Sequence, residues 1–143
     1  MRSLVVDASV AMKWVLPAHR EDLREEAFQI LSAYEVGETD LLVPDIFWAE
    51  CGNILWKAVR QQRLSRGDAE TALFSMIRRD IPTVSSAKLL AVAFPIALNF
   101  DRSVYDSLYV ALAVLEEIDL ITADERLANA LAAHLPVKWL GAI

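Results

Sequence analysis

Four carboxylates in this sequence lie within an apolar segment or at the edge of one, where soluble proteins seldom place an acid. They are Asp7, Glu50, Asp106 and Asp124. Acids are rarely buried unless they are paired or bind a cation. If the four segments converge, these acids form one negative pocket that suits a divalent metal ion, and a metal held by carboxylates indicates phosphate chemistry.

Each acid also has an ordinary structural explanation. Asp7 and Asp124 could cap the helices that follow them, since Asp is a favoured N-cap residue. Asp106 could be a first-turn acid favoured by the helix dipole, and Glu50 could point outward to solvent. All four explanations would have to hold at once, so a shared pocket is the better interpretation. Asp101 has two readings, as a helix cap or as a fifth acid at the rim.

Three polar residues lie near these acids in the sequence. Ser9 follows the first acid by two residues, and Thr122 precedes the last acid by two. Asn53 lies three residues after Glu50, on the same helix face, where it could orient that carboxylate by a hydrogen bond.

The pattern of apolar runs and helix caps predicts the elements that position the acids. Short strands are expected at 4–6, 41–43, 81–84, 120–122 and 137–140. Helices are expected at 8–16, 22–36, 45–62 (opened by Pro44), 66–79, 87–99 (bent or interrupted near Pro95), from 101 or 103 to 117, and 124–133. This alternation predicts an α/β protein with a central, mostly parallel sheet, and such sheets place active sites at the carboxyl ends of their strands.

Length and composition limit the classes of protein that fit. The 143 residues, 55% of them hydrophobic, predict one compact domain spanning 1–143. A net charge of −6 argues against broad nonspecific DNA binding but leaves a nucleic-acid substrate possible. The single Cys51 excludes an intrachain disulfide and fits a reducing compartment. The apolar run 89–98 is about half the ~20 residues of a membrane span, so we expect a cytoplasmic protein.

The order of the motifs resembles that of PIN-domain ribonucleases and, more narrowly, the VapC toxins of VapBC toxin–antitoxin pairs. The similar segments are VVDASV at 5–10, Glu50 with Asn53, YDSLYVALA at 105–113 and LITADERL at 120–127. The similarity covers essentially the whole chain. It implies a three-layer α/β/α sandwich and endonucleolytic cleavage of RNA by water activated with Mg²⁺ or Mn²⁺.

The resemblance also implies roles for residues and partners. Carried over by motif, the metal-binding and catalytic acids are Asp7, Glu50, Asp106 and Asp124, and the accessory polar residues are Ser9, Asn53 and Thr122. It implies a homodimer and a VapB-type antitoxin, whose tail occupies a groove beside the site, in a heterotetramer or larger assembly. One departure is Asp119, where the family often has a small residue; it lies outside the acidic set.

Other functions fit the sequence less well than that of a PIN-domain ribonuclease. A catalytically idle PIN-like interaction module is the alternative, and the presence of all four acids argues against it. A dehalogenase-type phosphatase needs a second Asp two residues after the first, where this chain has Ser9. A response-regulator receiver needs an Asp after its third strand, where Ser85 follows Val84. Transfer, ribosomal and messenger RNA all fit as the substrate.

Overall fold

A parallel sheet forms the centre of the molecule in the computed structural model, which describes residues 2–17 and 22–143. The described strands are ordered β3-β2-β1-β4-β5, and every neighbouring pair is parallel. They are β1 Arg2–Val6, β2 Thr39–Pro44, β3 Thr83–Val84, β4 Asp119–Thr122 and β5 Val137–Trp139. The predicted α/β fold class with a parallel sheet is confirmed.

Helices connect the strands and cover both faces of the sheet. They are α1 Ala8–Ala11, α2 Arg24–Glu35, α3 Phe47–Arg60, α4 Arg66–Arg78, α5 Ser86–Phe100, α6 Val104–Glu116 and α7 Glu125–Leu131. Short 3-10 turns follow α1 at Met12–Trp14 and β5 at Leu140–Ala142. Leu4, Val5 and Val6 are all buried although successive strand residues face opposite sides. Both faces are therefore packed, as in a three-layer α/β/α sandwich.

Helix α6 is the most deeply buried helix near the sheet centre. Residues 107–113 are all buried, and the helix packs against β1, β2 and β4. A helix that is apolar on every side must lie inside the protein. Asp106, in its first turn, is therefore carried by one of the best-packed parts of the fold.

The structure corrects the predicted start of the third helix. Pro44 ends β2, paired with Val84, instead of opening a helix. The ladder continues one residue further, since the Asp45 N–H donates to the Val84 carbonyl at 2.9 Å. Pro44 breaks no hydrogen bond to β3, because the N–H groups donated towards that strand are those of Val43 and Asp45. Glu50 consequently lies in the first turn of α3, nearer to the start of its helix than a helix beginning at residue 45 would place it.

Other boundaries also differ from the sequence prediction, including those of the first helix, α5 and β4. The first helix is one α-helical turn followed by a 3-10 turn. Helix α5 runs through Pro95 to Phe100, and Pro95 itself is exposed, so its ring avoids the core. Asp119 begins β4 and pairs with Lys138 on β5 at 3.0 Å. None of the described helices is long and apolar enough to cross a membrane.

Candidate active site

The four acids all lie at the beginning of a helix. Asp7 and Asp124 are the N-caps of α1 and α7, whereas Glu50 and Asp106 lie in the first turns of α3 and α6. Helices α1, α3 and α7 begin within a few residues of the carboxyl ends of β1, β2 and β4. Helix N-termini carry partial positive charge, which stabilises carboxylates there. The fold therefore gathers the acids at one edge of the sheet.

A cleft of about 490 Å³ opens at this edge. All four acids line it, and so do Ser9, Asn53, Tyr105 and Tyr109. No lysine or arginine of the described chain is among its lining residues. The described lining of the cleft is therefore acidic.

Asp7 is held in place by its neighbours. It is only 9% exposed, and its Oδ1 accepts hydrogen bonds from the Ser9 hydroxyl at 2.5 Å and the Val10 N–H at 3.3 Å. Ser9 Oγ also accepts from the Ala123 N–H at 3.1 Å, which ties α1 to the loop before α7. Burial raises the pKa of Asp7 to about 6, against the lowering effect of the Ser9 and Thr122 hydroxyls.

Asp124 combines a capping role with a place in the cleft. Its Oδ1 accepts from the N–H groups of Arg126 at 3.0 Å and Leu127 at 3.2 Å. Its own N–H donates to Oγ1 of the fully buried Thr122 at 3.0 Å. Because the cap uses one oxygen, the other oxygen is available for a ligand. The cap explanation and the pocket explanation are therefore compatible for this residue.

Glu50 receives its hydrogen bond from a residue whose role the sequence did not indicate. The Tyr109 hydroxyl donates to Glu50 Oε1 at 2.5 Å. Burial, and to a lesser extent the charge of Asp106, raises the pKa of Glu50 despite that bond. Burial and the Glu50 charge raise the pKa of Tyr109 far above its usual range, so its proton stays on oxygen. Asn53 lines the cleft but is not the donor to Glu50.

Asp106 experiences the charge of a second acid. Burial is the main cause that raises its pKa, and the charge of Asp124 adds to it. Ser103 and Arg102 act in the lowering direction. Mutual repulsion of this kind disfavours the ionised forms unless a cation compensates them.

The chemistry of the donors fits a hard divalent cation, although the side chains are not drawn together around one. In the described part of the chain, no group of three or more histidine, cysteine, aspartate or glutamate side chains is arranged to hold a metal ion. All of the cleft acids offer oxygen, the ligand that Mg²⁺ and related ions prefer. A cation would have to draw the carboxylates closer.

Comparison with known proteins places the chain in a family. A model of the PIN domain matches residues 4–131. The chain belongs to the PIN domain family. Ribonuclease VapC3 of Pyrobaculum aerophilum is 33% identical to this PIN domain over 128 residues, which cover 88% of the chain and 92% of that relative.

Solved structures share the fold of this PIN domain. The crystal structure of PAE2754 from Pyrobaculum aerophilum matches it with a TM-score of 0.71 at 20% identity, over 99% of this chain and 85% of that one. A toxin–antitoxin complex from Klebsiella pneumoniae matches with a TM-score of 0.62 at 17% identity, over 94% and 95% of the two chains. At these identities the likeness concerns the fold alone.

Asp101 does not join the acids of the PIN domain cleft. It ends α5 in the left-handed conformation, with φ of 52° and ψ of 51°, and it is not among the cleft-lining residues. The N-cap of α6 is Ser103. Asp101 is therefore neither the N-cap of α6 nor one of the residues that line the cleft.

Ser103 links the stability of α6 to the position of Asp106. Its Oγ accepts a hydrogen bond from the Asp106 N–H at 3.0 Å. We expect Ser103→Ala to lower the free energy of unfolding by about 1 kcal/mol, as is usual for loss of an N-cap, and also to reduce any activity of the cleft. Urea unfolding and activity assays measure the two effects.

Ser65 provides a matched control for this variant. It caps α4 in the same way, accepting from the Asp68 N–H at 3.1 Å, and it is not among the cleft-lining residues. Ser65→Ala is expected to cost similar stability and to leave activity unchanged. Equal activities of the two variants would show that the Ser103 cap does not position Asp106.

Proposed function

We propose that this PIN domain is a metal-dependent endoribonuclease of the VapC type, the toxin of a type II toxin–antitoxin pair. One observation carries the proposal: four carboxylates from four helix starts line one cleft, and none of the described residues that line it is a lysine or arginine. The 33% identity to a protein named as a ribonuclease supports RNA as the substrate.

The proposed cofactor is Mg²⁺ or Mn²⁺, held by Asp7, Glu50, Asp106 and Asp124. Burial raises the pKa of the first three, and neighbouring acids add to this effect. A divalent cation would offset that repulsion. When bound, it supplies Lewis acidity that activates water and neutralises charge on the scissile phosphodiester.

The chain's own residues supply position and shape. Ser9 fixes Asp7 against the start of α7, and Tyr109 fixes Glu50. The N-termini of α3 and α6 lie at the cleft and favour a bound phosphate.

Cleavage of RNA by the purified chain tests the proposal. We expect cleavage with Mg²⁺ or Mn²⁺ and none in EDTA, with internal cleavage products that mapping of RNA ends identifies. Full activity in EDTA would contradict metal dependence. Tight partner binding with no divalent-ion binding by calorimetry would favour the catalytically idle interaction module instead.

We infer that the toxin pairs with a VapB-type antitoxin and acts in the cytoplasm, where its RNA substrate is found. The structural neighbour described as a toxin–antitoxin complex from Klebsiella pneumoniae supports the pairing. Exposed apolar side chains on α3 and α4 offer a surface for such a partner: Trp56, Phe74 and Ile77. Co-purification with the product of an adjacent small gene tests this part.

We also propose a homodimer, formed through α5. Leu90, Phe94 and Leu98 lie at four-residue spacing on one face of this helix, and all three are exposed. Phe94→Asp is expected to convert a dimer to a monomer, because it places a charge in the centre of the apolar stripe. Light scattering after gel filtration measures the change as a halving of mass.

Phe74→Asp is the control for that variant. Phe74 is an equally exposed aromatic residue on α4, so its replacement should leave the dimer intact. A monomeric wild-type chain would contradict the homodimer, and a dimeric Phe94→Asp variant would exclude α5 as its interface.

A further inference from the structure

Tyr109 is the least exposed polar side chain that reaches the cleft from α6. It lies one turn after Asp106, so the two residues share a helix face. Its residue is 2% exposed and packs in the hydrophobic core, while its hydroxyl reaches Glu50 Oε1 at 2.5 Å. One rigid helix thus supplies an acid of the cleft and a hydrogen bond to an acid on another helix.

We propose that Tyr109 is a positioning residue that holds the Glu50 carboxylate in the cleft in readiness for a divalent cation. The inference rests on the proposed metal-dependent function and extends it to a residue outside the set of acids. Glu50 Oε2 accepts no hydrogen bond from any residue that the structure describes. Tyr109 therefore fixes one carboxylate oxygen and leaves the other for the ion.

Glu50 needs such a constraint because its surroundings favour displacement. Its side chain is long and only partly buried, and side chains of this type lose considerable rotamer freedom when they are fixed. Asp106 lines the same cleft, and its negative charge repels that of Glu50. Hydrogen bonds to an ionised acceptor are stronger than neutral ones. The Tyr109 hydroxyl thus opposes both rotation and repulsion before any cation is bound.

Two of the other acids, Asp7 and Asp124, are constrained by different means. Asp7 has the Ser9 hydroxyl and the Val10 N–H, and Asp124 has two helix N–H groups. The shorter Asp side chains also have fewer conformations to restrict. In contrast to Asp7 and Asp124, which accept from backbone N–H groups, the Glu50 carboxylate accepts a hydrogen bond from the Tyr109 hydroxyl alone among the described residues, so loss of that donor should affect metal binding directly.

Calorimetric titration of the metal-free full chain with MnCl₂ tests the inference. Tyr109→Phe is expected to weaken Mn²⁺ binding by about tenfold or more, the usual consequence of removing a partner of a metal ligand. Phenylalanine fills the same space, and water in the open cleft can replace the hydroxyl, so the fold should be kept. Circular dichroism checks this, and the titration is run at a temperature where all variants are folded.

Tyr105→Phe is the matched control. Tyr105 also lines the cleft, one turn earlier on α6, but no described carboxylate accepts a hydrogen bond from it. Its affinity for Mn²⁺ should stay within about twofold of wild type, well below the tenfold loss expected for a ligand's partner. A second comparison uses the Glu50→Gln variant. If Tyr109 acts through Glu50, adding Tyr109→Phe to that variant should cause little further loss of Mn²⁺ affinity.

The outcomes separate the inference from the proposed function. Wild-type affinity in Tyr109→Phe would overturn the inference while leaving the metal site in place. An equal loss from Tyr109→Phe in the wild-type and Glu50→Gln backgrounds would also overturn it, since the effect would then be general. No Mn²⁺ binding by the wild-type chain would overturn both the proposed function and the inference.

Discussion

Asp106→Asn is expected to lower the rate of RNA cleavage by a hundredfold or more. The substitution preserves size and the α6 N-terminus but replaces an anionic ligand with a neutral amide. A metal-stabilised transition state that loses several kcal/mol of charge stabilisation reacts roughly 10²–10³-fold more slowly. Initial rates of cleavage in Mg²⁺, with RNA in excess, measure the effect.

The metal-free Asp106→Asn protein should be at least as stable as wild type, which separates lost chemistry from lost structure. Burial and the charge of Asp124 raise the pKa of Asp106, so a neutral side chain removes an unfavourable interaction at neutral pH. Asp101→Asn is the matched control, because Asp101 lies outside the cleft and asparagine tolerates its left-handed backbone. A rate unchanged by Asp106→Asn would exclude Asp106 from the reaction.

Much of the fold could be predicted because the strands are buried on both faces. Parallel strands of this kind contain continuous apolar runs, as at Leu4–Val6 and at Leu120–Ile121 within β4. The start of α3 could not be predicted in this way. A proline after an apolar run fits either the first position of a helix or the last position of a strand. Only the pairing of Pro44 with Val84 decides between the two.

The acids of the site could be predicted, but the contacts that support them could not. Asp7 and Asp124 follow apolar strands, so their place at the sheet edge follows from topology. The hydrogen bond between Tyr109 and Glu50 joins residues 59 positions apart, and no local pattern specifies how α3 and α6 face each other. The spacing of Tyr109 from Asp106 was the available signal, since it places both on one helix face.

Asp7→Asn is expected to stabilise the metal-free protein at neutral pH and to remove part of its pH dependence. Burial raises the pKa of Asp7 from 3.8 to about 6. The folded state therefore binds a proton more tightly than the unfolded state. The pH-dependent contribution of Asp7 to the free energy of unfolding is fully present below the unfolded pKa of 3.8. It is lost as pH rises through the folded pKa of about 6. Above that, the ionised group costs about 3 kcal/mol.

The Asn variant isolates this contribution, because Glu50 and Asp106, whose pKa values are also raised, are present in both proteins. Asparagine is as good an N-cap as aspartate, so the bond from Val10 can be kept. Between pH 8 and pH 5 in EDTA, wild type should gain about 1.4 kcal/mol relative to Asp7→Asn. Urea unfolding at each pH measures the difference, and parallel profiles for the two proteins would contradict it.

Saturating Mn²⁺ should make wild type more stable than Asp7→Asn at pH 8. A ligand that binds only the folded state stabilises it in proportion to the logarithm of its concentration over Kd. Wild type would gain that stabilisation, whereas Asp7→Asn lacks one of the anionic ligands and would gain less. The carboxylate that destabilises the metal-free protein would thus be the one that makes the metal-bound protein more stable. Equal stabilisation of wild type and Asp7→Asn by the same Mn²⁺ concentrations would exclude Asp7 as a ligand.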